Sequence, residues 1–276
     1  IAGGTSTGTV MLFPYSPETR SRRLIGHTLP VTCMCVSTNP LCLATGSEDT
    51  TVRFWQIRGN DDPCITIQPN DGPIRAIAIS PKADRLLIVG GLSNPTIWDP
   101  FDKSVITQLE HQDTDINAVA LNMESSVAVT GAADAKCKIY DATSGNILHS
   151  VDCYSSITSL SMNDDGTILA IGTAVGTVLI VDVKSGQILH SSRILLLSGS
   201  TDNSVILTDI NTVEPVFTLG IHRDKVIDVH FSNDGQQFTT CSSDRKIYLW
   251  STPDMSLAYD SNQIMEEEEE EIDDIP

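Results

Sequence analysis

The feature of this chain that most constrains its fold is a strand-like motif that returns about every 42 residues. Each copy has a corner of small residues, then in most copies an acidic residue, then an alternating apolar segment that usually ends in an aromatic residue. The clearest copy runs from Thr45 through Asp49 to Trp55. The segment ends fall at positions 13, 55, 98, 140, 181, 208 and 250, so five of the six intervals lie within one residue of 42.

A second landmark has the same phase as the first. In five copies an earlier apolar segment begins 24 residues before the segment end, at Val31, Ile74, Ile116, Ile157 and Val226. A repeat of about 40–45 residues with four short strands is typical of one β-propeller blade. We therefore predict an all-β fold of seven blades, each a four-stranded antiparallel sheet whose strands we name a to d in chain order.

Particular residues within these repeats resemble the WD40 family of β-propellers. The resemblance is carried by Gly26-His27 with Asp49 and Trp55, by Trp98-Asp99, and by His222 with Asp244 and Trp250. It covers residues 1–260 and implies a seven-bladed WD40 β-propeller over that range. Residues 261–276 would then form an acidic, disordered C-terminal tail. The resemblance also implies a domain that binds other proteins.

The resemblance further implies a structural role for a recurring set of His, Ser or Thr, Asp and aromatic residues. In that family such residues form a buried hydrogen-bond relay that fixes the corner of a blade. The sets are His27, Thr45 or Ser47, Asp49 and Trp55; His111, Thr130, Asp134 and Tyr140; and His222, Thr240, Asp244 and Trp250. A Ser/Thr, His and Asp set also looks like a nucleophilic catalytic site. Because a nucleophile is not expected in three copies, we predict that the chain is not an enzyme and uses no cofactor or metal.

Two blades depart from the repeat. The interval from 181 to 208 is 27 residues, and the shortfall lies near Ser192–Arg193, where strand a of the sixth blade is expected. Two explanations are open: a segment of the protein that this sequence omits, or a true deletion. The first is favoured, because a blade without its inner strand leaves backbone groups unpaired. Strand a of the first blade is missing as well, and we expect it upstream of Ile1.

Binding residues concentrate on loops held by a rigid scaffold. The resemblance implies that the loops before strand a and between strands b and c share the narrow face of the propeller. We predict partner-binding positions there, at Pro30, Glu48, Pro73, Asp115, Ala133, Ser156, Ala174, Thr201, Lys225 and Ser243. Most are small or neutral and form no ring of arginines, which disfavours a phosphopeptide reader. The third and fifth blades lack the Gly-His pair and the acidic turn residue, either because a partner reshapes these loops or through drift without consequence.

Charge narrows the class of partner. The chain has 17 basic and 36 acidic residues, a net charge of −19, and the run from Glu266 to Asp274 carries eight of the negative charges. An acidic surface repels a phosphate backbone, so direct nucleic-acid binding is not expected. The acidic run is expected to be solvated, and it serves either solubility or the docking of a basic partner protein.

The remaining composition favours an intracellular protein, cytoplasmic or nuclear. No apolar run approaches the roughly 18–20 residues of a membrane span, so membrane insertion is not expected. The seven cysteines include no CxxC pair, and no Asn-x-Ser/Thr sequon occurs; we expect free, buried thiols. We therefore predict a non-catalytic scaffold subunit of a multiprotein assembly. The alternative is a substrate receptor, or a histone or phosphopeptide reader, that uses the narrow face.

Overall fold

The strands of this protein are seen in a computed structural model, which describes residues 2–13, 21–38, 41–57, 65–69, 72–80, 82–90, 94–110, 114–122, 124–163, 165–189, 195–209, 214–232 and 236–251. The chain forms two compact units, and the boundary between them lies between Leu189 and His190. Within the described ranges the regular elements are β-strands in seven antiparallel sheets. The prediction of an all-β fold with seven antiparallel blades is confirmed. The same ranges contain no helix long and apolar enough to cross a membrane.

The first unit contains five sheets, in which each strand pairs with its neighbour in chain order. Its strands are β1 (Ala2–Gly4), β2 (Thr9–Leu12), β3 (Arg22–Ile25), β4 (Val31–Thr38), β5 (Leu41–Ser47), β6 (Val52–Gln56), β7 (Ile65–Ile67), β8 (Ile74–Ile79), β9 (Leu86–Gly90), β10 (Thr96–Asp99), β11 (Ser104–Gln108), β12 (Ile116–Leu121), β13 (Val127–Ala132), β14 (Lys136–Asp141), β15 (Ile147–Asp152), β16 (Ile157–Met162), β17 (Ile168–Thr173) and β18 (Val178–Asp182). The sheets are β1–β3, β4–β7, β8–β11, β12–β15 and β16–β18.

The second unit contains two three-stranded sheets, β19–β21 and β22–β24. Their strands are β19 (Leu195–Gly199), β20 (Val205–Asp209), β21 (Glu214–Leu219), β22 (Val226–Phe231), β23 (Gln237–Ser242) and β24 (Ile247–Ser251). The sheet β19–β21 supplies strands b, c and d, and β22–β24 supplies a, b and c. Strand d of the last blade, expected at Ser256–Tyr259, lies outside the described residues.

The two sequence landmarks coincide with strand boundaries. Each of the five apolar residues that precede a segment end by 24 positions is the first residue of a strand a: Val31, Ile74, Ile116, Ile157 and Val226. The strands c end at residues 12, 56, 99, 141, 182, 209 and 251, each one position from a segment end. β-Branched residues at the start of strand a and alternating apolar residues along strand b favour extended backbone that is buried on both faces.

In the first unit, the first and fifth blades have three-stranded sheets, whereas the other three have four strands. The sheet β1–β3 lacks strand a among the described residues, as the sequence predicts. In the fifth blade, strand d is expected at Ile188–His190, and its described part pairs with strand c. Backbone bonds close the turn between Asp182 and Gln187, which leaves one bridge from Val181 to Ile188 and one bond from Leu189 N–H to the Ile180 carbonyl. His190 lies outside the described residues.

The apolar core of the first unit lies between successive sheets. One cluster joins β1–β3 to β4–β7 through Leu24 and Trp55, and the next joins β4–β7 to β8–β11 through Phe54 and Ile88. Two further clusters continue this arrangement to β12–β15 and β16–β18. The six described cysteines are free thiols, and those that are fully buried belong to these layers: Cys42, Cys137 and Cys153. The three middle sheets, β4–β7, β8–β11 and β12–β15, are therefore stabilised on both faces by their neighbours.

The inner ends of successive sheets approach very closely. A Cβ atom on Gly46 would lie 2.5 Å from Ile74 Cγ2, and one on Gly131 would lie 2.5 Å from Ile157 Cγ2. Glycine at the end of strand b thus makes room for the β-branched residue that begins strand a of the next sheet. In the third blade Val89 occupies the equivalent position and packs in a separate cluster with Ile116.

The turns between strands b and c share one backbone conformation. In six blades the residue five positions before the segment end has a positive φ: Gly8, Thr50, Ala135, Gly176, Asn203 and Arg245. Only two of these residues are glycine, although the left-handed region costs other residues about 1–2 kcal/mol. The turn geometry is therefore imposed by the pairing of strands b and c.

The substitution Ala135→Gly is expected to raise the free energy of unfolding by about 0.5–1 kcal/mol. Relief of the left-handed strain at φ 67° exceeds the added entropy of the unfolded chain. The matched control is Ala133→Gly in the same turn, which has no such strain to relieve and should lose about 0.5–1 kcal/mol. Urea unfolding of both variants measures the difference, and equal effects would contradict this account of the turn.

Candidate functional site

A chain of buried hydrogen bonds joins four segments of sheet β4–β7. The Trp55 indole N–H donates to Thr45 Oγ1 at 2.9 Å, and Thr45 Oγ1 lies 2.8 Å from His27 Nε2. His27 Nδ1 lies 2.9 Å from Asp49 Oδ2. Because the Asp49 carboxylate accepts, Nδ1 carries the proton, and Nε2 accepts from the Thr45 hydroxyl. The bonds connect the loop before strand a, strand b, the b–c turn and strand c.

The electrostatics of this chain favour a neutral imidazole beside an ionised carboxylate. Burial lowers the pKa of His27 from its ordinary value, although the hydrogen bond to Asp49 acts in the opposite direction. Burial alone would raise the pKa of Asp49, but hydrogen bonds from Thr51, the Thr28 backbone and His27 outweigh it and lower this pKa to about 2. The Thr45 hydroxyl is completely buried, so a substrate carbonyl has no access to it in this structure.

The same arrangement occurs in sheet β22–β24. Trp250 Nε1–H donates to Thr240 Oγ1 at 3.1 Å, and the Thr240 oxygen lies 2.9 Å from His222 Nε2. His222 Nδ1 lies 2.9 Å from Asp244 Oδ2. Burial acts to raise the pKa of Asp244, but the bonds from the Arg223 backbone and from His222 outweigh it and lower this pKa.

The third predicted set, in sheet β12–β15, is arranged differently. The buried Tyr140 hydroxyl donates to the Glu110 carbonyl at 2.9 Å and lies 3.4 Å from Thr130 Oγ1. Burial raises the pKa of Tyr140 to about 12. Asp134 accepts a bond from the Lys136 backbone N–H within its own turn. His111 lies outside the described residues.

The predicted partner-binding positions are brought together in pairs. In four sheets the residue before strand a accepts a backbone hydrogen bond from the residue before the acidic turn position. The N–H···O pairs are Glu48 to Pro30 at 3.0 Å, Ala133 to Asp115 at 2.8 Å, Ala174 to Ser156 at 2.8 Å and Ser243 to Lys225 at 3.0 Å. Pro73 and Thr201 are exposed, and no pair is described for either. All ten positions are at least partly exposed at the d–a and b–c end of their sheets.

Sequence reasoning missed a second series of exposed residues at this end. The second residue of strand a lies in a β-bulge, and in three sheets its side chain contacts the next sheet. Thr32 Oγ1 donates to the Ile74 carbonyl at 2.6 Å, and Arg75 forms an ion pair with Asp115 at 2.8 Å. Asn117 Nδ2 donates to the Ile157 carbonyl at 2.9 Å. The sequence signal that could have identified these residues is a polar residue directly after the first residue of strand a.

The substitution Thr45→Val is expected to lower the free energy of unfolding by about 2–4 kcal/mol. It keeps the side-chain shape but leaves the Trp55 N–H and His27 Nε2 buried without their partner. The matched control is Thr130→Val, which removes only a 3.4 Å contact and should cost less than about 1 kcal/mol. Urea unfolding measures both, and equal costs would show that the relay adds no stability.

Acidification is expected to destabilise the fold through Asp49. Its folded-state pKa of about 2 is below the ordinary value of 3.8, so its contribution is present above about pH 4 and is lost as the pH falls toward 2. His27, whose pKa is also lowered, loses its contribution as the pH falls below 6.5. Thermal unfolding from pH 8 to pH 2 should show both losses in the wild type. Asp49→Asn should flatten the lower one, and an unchanged slope would contradict the assignment.

Comparison with known proteins places the repeats in a family. Residues 18–56 and 213–251 match the family described as "WD domain, G-beta repeat". Residues 76–161 and 154–195 match the family described as "Anaphase-promoting complex subunit 4 WD40 domain". Both descriptions are of WD40 repeats, and the matched ranges fall in both units.

Among curated proteins, the chain is similar to two over most of its length and to a third over about half of it. It is 20% identical to WD repeat-containing protein srw1 of Schizosaccharomyces pombe, over 91% of this chain and 41% of srw1. It is 22% identical to Protein FIZZY-RELATED 2 of Arabidopsis thaliana, over 91% of this chain and 47% of that protein. It is 28% identical to the U3 small nucleolar RNA-associated protein 15 homolog of Bos taurus, over 49% of this chain and 26% of that protein.

The chain thus spans less than half the length of these relatives. The seven sheets, the phase of 42 residues and the buried relays agree with those matches. The chain belongs to the WD40-repeat family.

Proposed function

We propose that this chain is a non-catalytic scaffold that holds other proteins together in an intracellular multiprotein assembly. The observation that carries the proposal is the series of paired loop positions, which are exposed and held by backbone hydrogen bonds. Backbone bonds such as Ala133 N–H to the Asp115 carbonyl set these loops before any partner arrives, which lowers the entropy cost of binding. The matched family of anaphase-promoting complex subunit 4 is, by its description, part of a complex.

The same geometry supports a structural rather than a chemical role for the relay residues. The Thr45 and Thr240 hydroxyls are completely buried and are bonded on two sides by His and Trp rings. A nucleophile needs an open path to the substrate as well as a neighbouring base. In the described part of the chain, no cluster of His, Cys, Asp or Glu is placed to hold a metal ion.

The proposed partners are proteins rather than nucleic acid. A net charge of −19 favours basic protein surfaces and opposes a phosphate backbone. The acidic run Glu266–Asp274 lies outside the described residues, and we include it as a second contact for a basic partner. No insertion into a membrane is part of this proposal, and the assembly is placed in the cytoplasm or the nucleus.

One observation favours a second candidate, a reader of phosphorylated or otherwise acidic peptides. Exposed cationic residues meet at one corner of sheet β22–β24: Arg223, Lys225 and Arg245. The Arg223 backbone N–H donates to Asp244, which holds this residue at the corner. In the first unit, by contrast, Arg75 is engaged by Asp115. A peptide reader would bind through this corner alone, whereas a scaffold would use several sheets.

Crosslinking mass spectrometry in native extract tests the scaffold proposal. The variant Glu48→Ala/Asp115→Ala/Thr201→Ala/Lys225→Ala is expected to lose most of its crosslinked partners. The matched control changes two acidic and two basic exposed residues at the other end of the sheets: Lys82→Ala/Asp102→Ala/Glu124→Ala/Lys184→Ala. It should keep the partners, and both variants should unfold like the wild type.

The outcomes separate the candidate functions. Loss of partners from the first variant alone supports a scaffold that uses the narrow-face loops. Binding of a phosphoserine peptide that Arg223→Ala/Arg245→Ala abolishes, with other partners retained, favours the peptide reader. If the wild-type protein forms no stable crosslinked complex in the extract, the scaffold proposal is wrong.

A further inference from the structure

The fifth blade has lost the polar groups that form the relay elsewhere. Counted from the first residue of strand a, Cys153 stands where His27 stands in the second blade, and Val175 stands where Asp49 stands. Cys153 is buried, so it fills the space as a small apolar group. Val175 is 71% exposed, and therefore it does not replace the carboxylate inside the blade.

The loop before β16 is held by other bonds in place of the relay. The Cys153 N–H donates to the Ala135 carbonyl at 2.8 Å, which ties this loop to the b–c turn of the preceding sheet. The Tyr154 N–H donates to Asp152 Oδ1 at 3.1 Å. The loop is thus fixed without its own His and Asp, and its outer surface is free to differ from that of the other blades.

Tyr154 occupies the tip of this loop in an unfavourable conformation. Its φ is 62°, a value that bulky residues rarely adopt, and its side chain is 84% exposed. Neither burial nor a ring contact among the described residues offsets the strain. Two residues further on, the Ser156 carbonyl accepts from the Ala174 N–H at 2.8 Å, which brings Val175 to the same end of sheet β16–β18.

The b–c turn that is bonded to this loop carries a negative charge. Asp134 lies in the b–c turn to which Cys153 is bonded, and its carboxylate has no cationic partner within the described ranges. The nearby Asp152 stands opposite Lys136 in the register of β14 and β15, so that charge has a neighbour of opposite sign. A ligand that covers Tyr154 and Val175 would therefore place a cation favourably next to Asp134.

We propose that Tyr154 and Val175 form the anchor site for a peptide segment of a partner protein that carries a large apolar residue next to a lysine or arginine. This inference rests on the proposed function and names one contact of the narrow face. Exposed tyrosines that become buried in complexes carry a large share of binding energy, because the ring is rigid and amphipathic. The peptide supplies the apolar cover that the fifth blade lacks, and its cation pairs with Asp134.

Binding of three fluorescein-labelled peptides, measured by anisotropy, tests the chemistry of the site. The peptides are GSKLFKSG, with apolar and basic residues, GSKSSKSG, with basic residues only, and GSDLFDSG, with apolar and acidic residues. The wild type should bind the first at least about tenfold more tightly than the other two. Equal affinity for the first two peptides, or no binding of the first, would overturn the proposal.

Variants locate the site. Tyr154→Ala and Val175→Asp should each weaken binding of GSKLFKSG about tenfold, and Asp134→Asn should remove its advantage over GSDLFDSG. The matched control is Ile25→Ala, which removes an equally exposed apolar side chain, 74% exposed, from β3. It should bind like the wild type, and a loss equal to that of Tyr154→Ala would overturn the location.

Tyr154→Gly separates a binding role from a structural one. Glycine relieves the left-handed strain, so the midpoint of thermal unfolding should hold or rise while peptide binding is lost. A fall in the midpoint would show that the ring stabilises the fold, and it would overturn the assignment. If the crosslinked partners depend on the narrow-face loops but not on Tyr154, this inference fails while the proposed function stands.

Discussion

The three middle sheets of the first unit, β4–β7, β8–β11 and β12–β15, have two apolar faces each, and each face is buried against a neighbouring sheet. In β5 the side chains alternate, so Leu43 packs toward β1–β3 while Cys42 and Ala44 pack toward β8–β11. The free energy gained by removing apolar surface from water therefore comes from contacts between sheets, and a single sheet would gain little of it. These contacts form only if neighbouring sheets keep a fixed distance from each other. The close approach of Gly46 to Ile74 and of Gly131 to Ile157 maintains this distance at the inner ends.

The relays provide hydrogen-bond partners for polar atoms that this packing buries. A Trp ring that fills a layer between sheets takes its N–H out of water, and the N–H needs an acceptor. Thr45 and Thr240 provide that acceptor, and His27 and His222 extend the bond to an ionised Asp in the turn. Tyr140 meets the same need by donating its hydroxyl proton to the Glu110 carbonyl. The polar residues that most resemble a catalytic site thus follow from burial of an aromatic ring.

Comparison of the second and fifth blades shows that the relay holds the loop before strand a. In the second blade Asp49 accepts from the Thr28 backbone and so holds the loop before strand a. In the fifth blade that loop is held from the preceding sheet instead, through the Ala135 carbonyl, and it carries Tyr154 at its tip. The core of the blade is maintained while its loops differ, which is how repeats of one scaffold come to bind different partners.

Much of the fold could be predicted from the sequence, because its signals are local. The period of 42 residues, the β-branched residue that starts each strand a and the alternation within strands b and c all act over a few neighbouring residues. The extent of strand d in the fifth blade is a less local property, since it depends on the turn at Asp182–Gln187. Position within the repeat identifies the ten loop candidates, but it does not identify the exposed Tyr154 or the bulged Arg75. Nothing in their immediate sequence separates them from ordinary surface residues.

The sequence by itself determined where the strands lie and which residues recur at the same position of each repeat. It could do so because the pattern of apolar, small and acidic residues within each 42-residue repeat favours the same strands and turns. Only the tertiary structure decided which polar groups meet. His27 and Asp49 are 22 residues apart, and Asn117 and Ile157 are 40 apart, so their bonds exist only after the sheets have formed and packed. The same packing decided which side chains of the fifth blade point outward, since burial of Cys153 leaves Tyr154 at the surface. In this protein the 42-residue repeat of the sequence specifies the strands of each sheet. Contacts between residues that are distant in sequence specify the surface that the sheets present.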